Sequence, residues 1–149
     1  MVGGCLVKHW SKTQTTIALS SGEAELSGIG SGIAHAIGLQ SLAADMGWVL
    51  KPKVHSDATA AIGISKRRGL GKIRHLHTAD LWIQEQVRSE RVELLKVLGT
   101  DNPADAMTKY LDRATMEKSL KAMNCEFRDG RAKAAPATMG LKKEAKASA

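Results

Sequence analysis

A chain of 149 residues, 43% hydrophobic, has the length and apolar content of one domain with a core, and with aromatics at 3% that core has to be aliphatic. The formal net charge of +7 favours a polyanionic partner, nucleic acid first. Cys5 and Cys125, one near each end, exclude a zinc-type spacing and a disulfide framework, and no apolar run approaches the ~20 residues of a membrane span. Nor does the start carry the charged and apolar regions of a signal peptide. A cytoplasmic or nuclear protein with no membrane partner is expected. Charge is not spread evenly. Residues 130–149 hold five Lys/Arg against one acid, a net of +4. After Arg128 the sequence has no stripe of large apolar residues, so 124–149 is read as a basic, disordered tail and 1–123 as the folded domain.

Gly3-Gly4 is hairpin-turn chemistry with almost nothing before it, which leads us to expect a chain beginning in mid-fold. From Leu6 to Leu19 the sequence is rich in β-branched residues and partly alternates, which predicts one long strand. Ser20 then fits a helix N-cap, with Glu23 as its capping-box partner. Leu26, Ile29, Ile33 and Ile37 recur at helical spacing, and the helix is expected to reach Met46, with Gly47 as its stop. Four glycines inside it, Gly28, Gly30, Gly32 and Gly38, make it dependent on a packing partner. A short strand, Val54 to Ser56, follows and ends at Asp57. Ala58 to Ser65 reads as a short helix. Lys66 to Arg74 places five cations in nine residues with no acid. His75 to Arg88 has helical period, and Arg91 to Leu98 reads as a strand. Asn102 as cap and Pro103 at the first position start another helix. A last amphipathic stretch runs from Asp112 to about Met123. Strands alternating with helices predict an α/β fold with a mixed sheet, parallel in its second half.

Three acids stand at junctions of these elements: Glu25 in a helix first turn, Asp57 at a strand end, and Asp105 in the first turn of a later helix. Such places hold a carboxylate rigidly beside a sheet edge. Each also has a plainer reading. Asp57 at a strand-to-helix junction fits an N-cap. Asp105 is stabilised by the helix dipole with or without a metal. Glu23 and Glu25 are two positions apart, about 200° around the helix, so only one of them faces a common site. His55 reads as a packed or hydrogen-bonded histidine, His75 and His77 as surface or helix-end groups, and Trp10 and Trp82 as core.

The residues Trp10-Ser11-Lys12-Thr13-Gln14-Thr15-Thr16-Ile17-Ala18-Leu19-Ser20-Ser21-Gly22-Glu23-Ala24-Glu25 resemble the W-S-x-K-Q-x-x-V-A-L-S-S-x-E-A-E signature of the ribonuclease H domain in copia-type LTR retrotransposon polyproteins. His55 to Ala61 resembles that family's C-D-N-x-x-A, Lys72 to Leu76 its R-T-K-H-I, and Asn102 to Lys109 its A-D-x-x-T-K. The four motifs stand in register over residues 4–123. The resemblance implies a ribonuclease H-like fold, incomplete here because the first two strands would precede Met1. It implies a polyprotein context with other Pol domains. It also implies two-metal hydrolysis of the RNA strand of an RNA–DNA hybrid, with Mg²⁺ or Mn²⁺ held by four carboxylates. Residue by residue it assigns Glu25, Asp57 and Asp105 as catalytic metal ligands; the fourth acid lies in a motif that this sequence lacks. The family's usual Asp after K-H-I is His77 here, which bears on helix packing or substrate contact.

On such a scaffold the cations Lys66, Arg67, Arg68, Lys72 and Arg74 become phosphate-backbone contacts. Low or no nuclease activity is expected of a chain with three of the four acids. The competing reading is a non-catalytic retroelement remnant that binds nucleic acid weakly.

Overall fold

The computed structural model describes residues 1–14, 17–69, 78–126 and 130. Its elements in order are α1 (Ser21–Asp45), β1 (Lys53–Ser56), α2 (Thr59–Lys66), α3 (Thr78–Arg88), β2 (Glu93–Lys96), two 3-10 turns (Gly99–Asp101 and Pro103–Met107) and α4 (Arg113–Ala122). The fold is mixed α/β. Strands β1 and β2 pair in parallel, Lys53 opposite Glu93 through Ser56 opposite Lys96. A parallel pair cannot be joined by a tight turn, and α2 and α3 lie in the connection between the two strands.

The start of α1 follows from its cap. Ser20 is extended, its Oγ accepts from the Glu23 N–H at 3.3 Å, and the Glu23 carboxylate accepts from the Leu19 N–H at 2.9 Å. Two donors that a helix N-terminus leaves unpaired or exposed are thereby satisfied by local side chains. At the other end Met46 caps the helix and Gly47 turns the chain away with φ +81°, a conformation that costs a residue with a Cβ. The periodic residues Leu26, Ile29 and Ile33 are buried on one face. They pack with Ala61, Ile62 and Ile64 of α2, Ile83 of α3, and Val92 and Leu94 at β2. Each large aliphatic side chain buried there contributes about 1.5–3 kcal/mol of transfer free energy.

Glycine lets the helices meet. A Cβ built on Gly30 would lie 2.8 Å from Ile83 Cδ1, so α1 and α3 approach where no side chain intervenes. Buried Gln84 of α3 fixes the exit from α2. Its amide donates to the carbonyls of Ile64 and Gly69 at 3.0 Å, and its Oε1 accepts from the Gly69 N–H at 2.9 Å.

Several expectations are corrected. The predicted strand from Leu6 to Leu19 is not formed among the described residues there. That segment is extended without a ladder, and the described strand pairing near it is a single antiparallel bridge, Val2 with Cys5, around Gly3-Gly4. The β-branched composition was real, but a strand exists only by pairing, and the segment instead crosses α1. There Trp10 stacks on His35 with ring centroids 4.2 Å apart, and Gln14 Nε2 donates to the Ala24 carbonyl at 2.6 Å. Trp10 and Trp82 are not core residues; both are about two-fifths exposed. His55, expected to be packed or hydrogen-bonded, has an exposed side chain on β1. The stretch from Pro103 is a 3-10 turn of five residues rather than an α-helix, although Asn102 caps it as expected through the Ala104 N–H at 3.2 Å. The start of the helix expected from His75, together with His77, lies outside the described residues, as does the tail from 127 apart from residue 130.

Candidate functional site

Asp57 follows the last residue of β1, and its setting is built from both sides. Buried Ser56 accepts from the Ala58 N–H at 3.2 Å through its Oγ. The residue that caps α2 is Ala58, without a side-chain cap bond, so the N-cap reading of Asp57 does not hold. Lys96 at the end of β2 donates to Thr59 Oγ1 at 2.8 Å, tying the neighbouring strand to the first residue of α2. Gly99, just past β2, lies beside the carboxylate: a Cβ there would meet Asp57 Oδ2 at 3.5 Å, an ordinary van der Waals contact.

Asp105 sits in the turn Pro103–Met107, with its side chain only 19% exposed. Its partner is Lys109. The Lys109 N–H donates to the Asp105 carbonyl at 2.9 Å and its ammonium donates to Asp105 Oδ2, also at 2.9 Å. Lys118 of α4 donates to Asp101, in the preceding turn Gly99–Asp101, at 2.6 Å. Glu25 occupies an exposed position in the second turn of α1, while Glu23 is engaged in the cap.

The Lys109 ammonium is held above its ordinary pKa, chiefly because it donates a hydrogen bond to Asp105 and feels that carboxylate's charge, with smaller contributions from the charges of Asp57 and Glu25. The ion pair itself joins Lys109 to Asp105, as Arg113 is joined to Glu117 at 2.7 Å and Lys53 to Glu93 at 3.6 Å.

The donor chemistry suits a hard divalent cation, since all three groups are carboxylates and Mg²⁺ takes oxygen ligands while keeping several waters. Lys109 stands as a cation beside one of them, Asp105. The arrangement nevertheless stops short of a ligand shell: among the described residues no group of three or more His, Cys, Asp or Glu is placed to hold a metal ion.

Lys109 is a partner of a candidate site residue that sequence reading passed over. Its signal was present in the spacing, an acid followed four residues later by a lysine. Of the predicted phosphate contacts, Lys66 closes α2, with Arg67 and Arg68 immediately after it, and Lys72 and Arg74 lie outside the described residues. An eight-residue helix is about 12 Å long, which sets Lys66 well away from Asp57 along α2.

Comparison with known proteins points to a retrotransposon origin. The chain is similar to the retrovirus-related Pol polyprotein from transposon TNT 1-94 of Nicotiana tabacum, 31% identical over 125 residues that make up 81% of this chain. The matched region is 9% of that polyprotein, so the similarity supports descent from a Pol polyprotein and covers a small part of one. No protein-family model matches the chain, and no solved structure matches it. No helix among the described residues is long and apolar enough to cross a membrane.

Proposed function

We propose that the chain is a ribonuclease H-type domain of a retrotransposon Pol polyprotein, built to hydrolyse the RNA strand of an RNA–DNA hybrid. The observation that carries this reading is the placement of Asp57 directly after β1, beside Gly99 just past β2, with Asp105 in the capped turn that follows. The similarity to a Pol polyprotein supports the context. Glu25, Asp57 and Asp105 would hold Mg²⁺ or Mn²⁺. When bound, such ions activate water, stabilise the leaving oxygen and offset phosphate charge. The chain's own part is placement. Asp57 directly follows β1, the capped turn at Pro103 carries Asp105, and α1 carries Glu25. Lys66, followed by Arg67 and Arg68, lies about 12 Å along α2 from Asp57. They would therefore engage phosphates elsewhere on the same polymer rather than neutralise the acids. Selection of RNA would come through 2′-hydroxyl contacts.

A labelled RNA–DNA hybrid tests the reading. We expect hybrid binding that strengthens with Mn²⁺, weak cutting confined to the RNA strand, and loss of both metal-dependent effects in Asp57→Asn. Binding indifferent to metal and to Asp57→Asn, with no cutting, would overturn it. That result would leave the second reading, a retroelement-derived chain that binds nucleic acid without cleaving it. One observation favours that alternative: the three acids, as placed, do not close into a ligand set.

A further inference from the structure

We infer that the groove between the N-terminal arm and α1 binds single-stranded nucleic acid, with the Trp10 indole as the platform for an unpaired base. This goes beyond the nuclease reading and does not depend on it. The groove measures about 640 Å³ and is walled by Lys8 and Trp10 of the arm, His35 and Leu39 of α1, and Lys53 and Val54 of β1. That volume falls within the range of about 300–1,000 Å³ of small-ligand sites. His35 Nδ1 donates to the Ser31 carbonyl at 2.8 Å, which fixes the imidazole on α1. Trp10 stacks on that imidazole and is nevertheless 42% exposed. Gln14 ties the same arm to α1 a second time, at the Ala24 carbonyl. An indole already held in one orientation loses little freedom when another ring stacks on it.

Charge selects the ligand. Residues 1–22, 26–44 and 46–56 supply every described wall of the groove, and they contain the lysines Lys8, Lys12, Lys51 and Lys53 and no Asp or Glu. Glu93 offsets Lys53 alone, at 3.6 Å. Lys8 Nζ lies over the Trp10 ring, 5.6 Å from its centroid. An exposed ammonium there can yield the ring to a base and turn to the phosphate of the same nucleotide. The ring in turn selects the form of the polymer. In a duplex the base faces are stacked on their neighbours and only the backbone meets the lysines, whereas a single strand offers faces and phosphates together. His35 stands ten positions beyond Glu25, about 15 Å along α1, so the groove is distinct from the candidate acids.

The experiment titrates fluorescein-labelled single strands of equal length with the full chain in EDTA, so that no metal takes part. The strands are oligothymidylate, oligouridylate and an abasic strand that keeps the phosphates and lacks the bases; anisotropy reads the affinity. Both base-bearing strands should bind, and the abasic strand should bind weaker by about fivefold or more, the cost of one lost base stack. Trp10→Ala should remove that difference, and Trp10→Phe should keep most of it. Because Trp10→Ala also frees the arm, Gly38→Leu gives an independent check. Nothing lies within 4 Å of a Cβ built on Gly38, which lines the groove, so the leucine fills the groove without meeting the core and should likewise abolish the base preference. Lys8→Gln should flatten the slope of log affinity against log salt by about 0.7. No binding of any strand, or equal binding of abasic and base-bearing strands by the native chain, would overturn the inference. So would a base preference unchanged in Trp10→Ala and Gly38→Leu. Self-association that Gly38→Leu abolishes, with strand binding unaltered, would also overturn it and give the groove to a second copy of the chain.

Discussion

The two halves of α1 make unlike use of one helix. Leu26, Ile29 and Ile33 in the first half are almost fully buried, and this half carries Glu25. In and just beyond the second half, Ala43 is buried, but Leu42, Met46 and Trp48 are more than half exposed and Val49 is fully exposed. The cause is length. A helix of 25 residues runs about 37 Å. The four-residue strands beneath it span only about 13 Å. One end rests on α2, α3 and the sheet while the other overhangs. Large apolar residues at helical spacing therefore do not by themselves mark a core; what lies opposite them decides.

Substitutions along α1 sharpen the contrast, each followed by urea unfolding. Ile33→Ala should have the largest effect, a loss of about 2–5 kcal/mol, because Ile33 is wholly enclosed and its removal leaves a cavity. Gly30→Val should lose about 1–3 kcal/mol, since its branches would be driven into Ile83 across the α1–α3 contact. Ser20→Ala removes the cap oxygen that serves the Glu23 N–H and should lower stability by about 1 kcal/mol. Leu42→Ala, on the overhang, should change stability by no more than about 0.5 kcal/mol. A loss at Leu42 as large as that at Ile33 would break the comparison and show that the far half of α1 is covered in solution.

The same contrast explains what could be read from the sequence. Features set by neighbours along the chain were legible. Ser20 with Glu23, Gly47 past the end of α1, and Asn102 with Pro103 all mark the boundaries that the structure has, because a cap is a bond between residues two to four positions apart. The parallel pair β1–β2 also followed from the alternation of elements. What needed a distant partner was not legible. Leu6 to Leu19 has the composition of a strand, and nothing in that composition says whether another strand lies alongside. Trp10 and Trp82 were assigned to the core on size alone. The acids at positions 25, 57 and 105 were singled out individually; the pairing of Asp105 with Lys109 was open to reading from its four-residue spacing, while the approach of Gly99 to Asp57 needed the assembled fold.

The register of β1 on β2 has a kinetic corollary. Lys53 meets Glu93 forty positions later, so the strand that ends at Asp57 is set only after a long loop closes. Asp105 lies later still in the chain. The carboxylates therefore assemble late, and a divalent ion has little to grip before the barrier to folding is crossed. Any ion they hold should slow unfolding while leaving the refolding rate nearly unchanged.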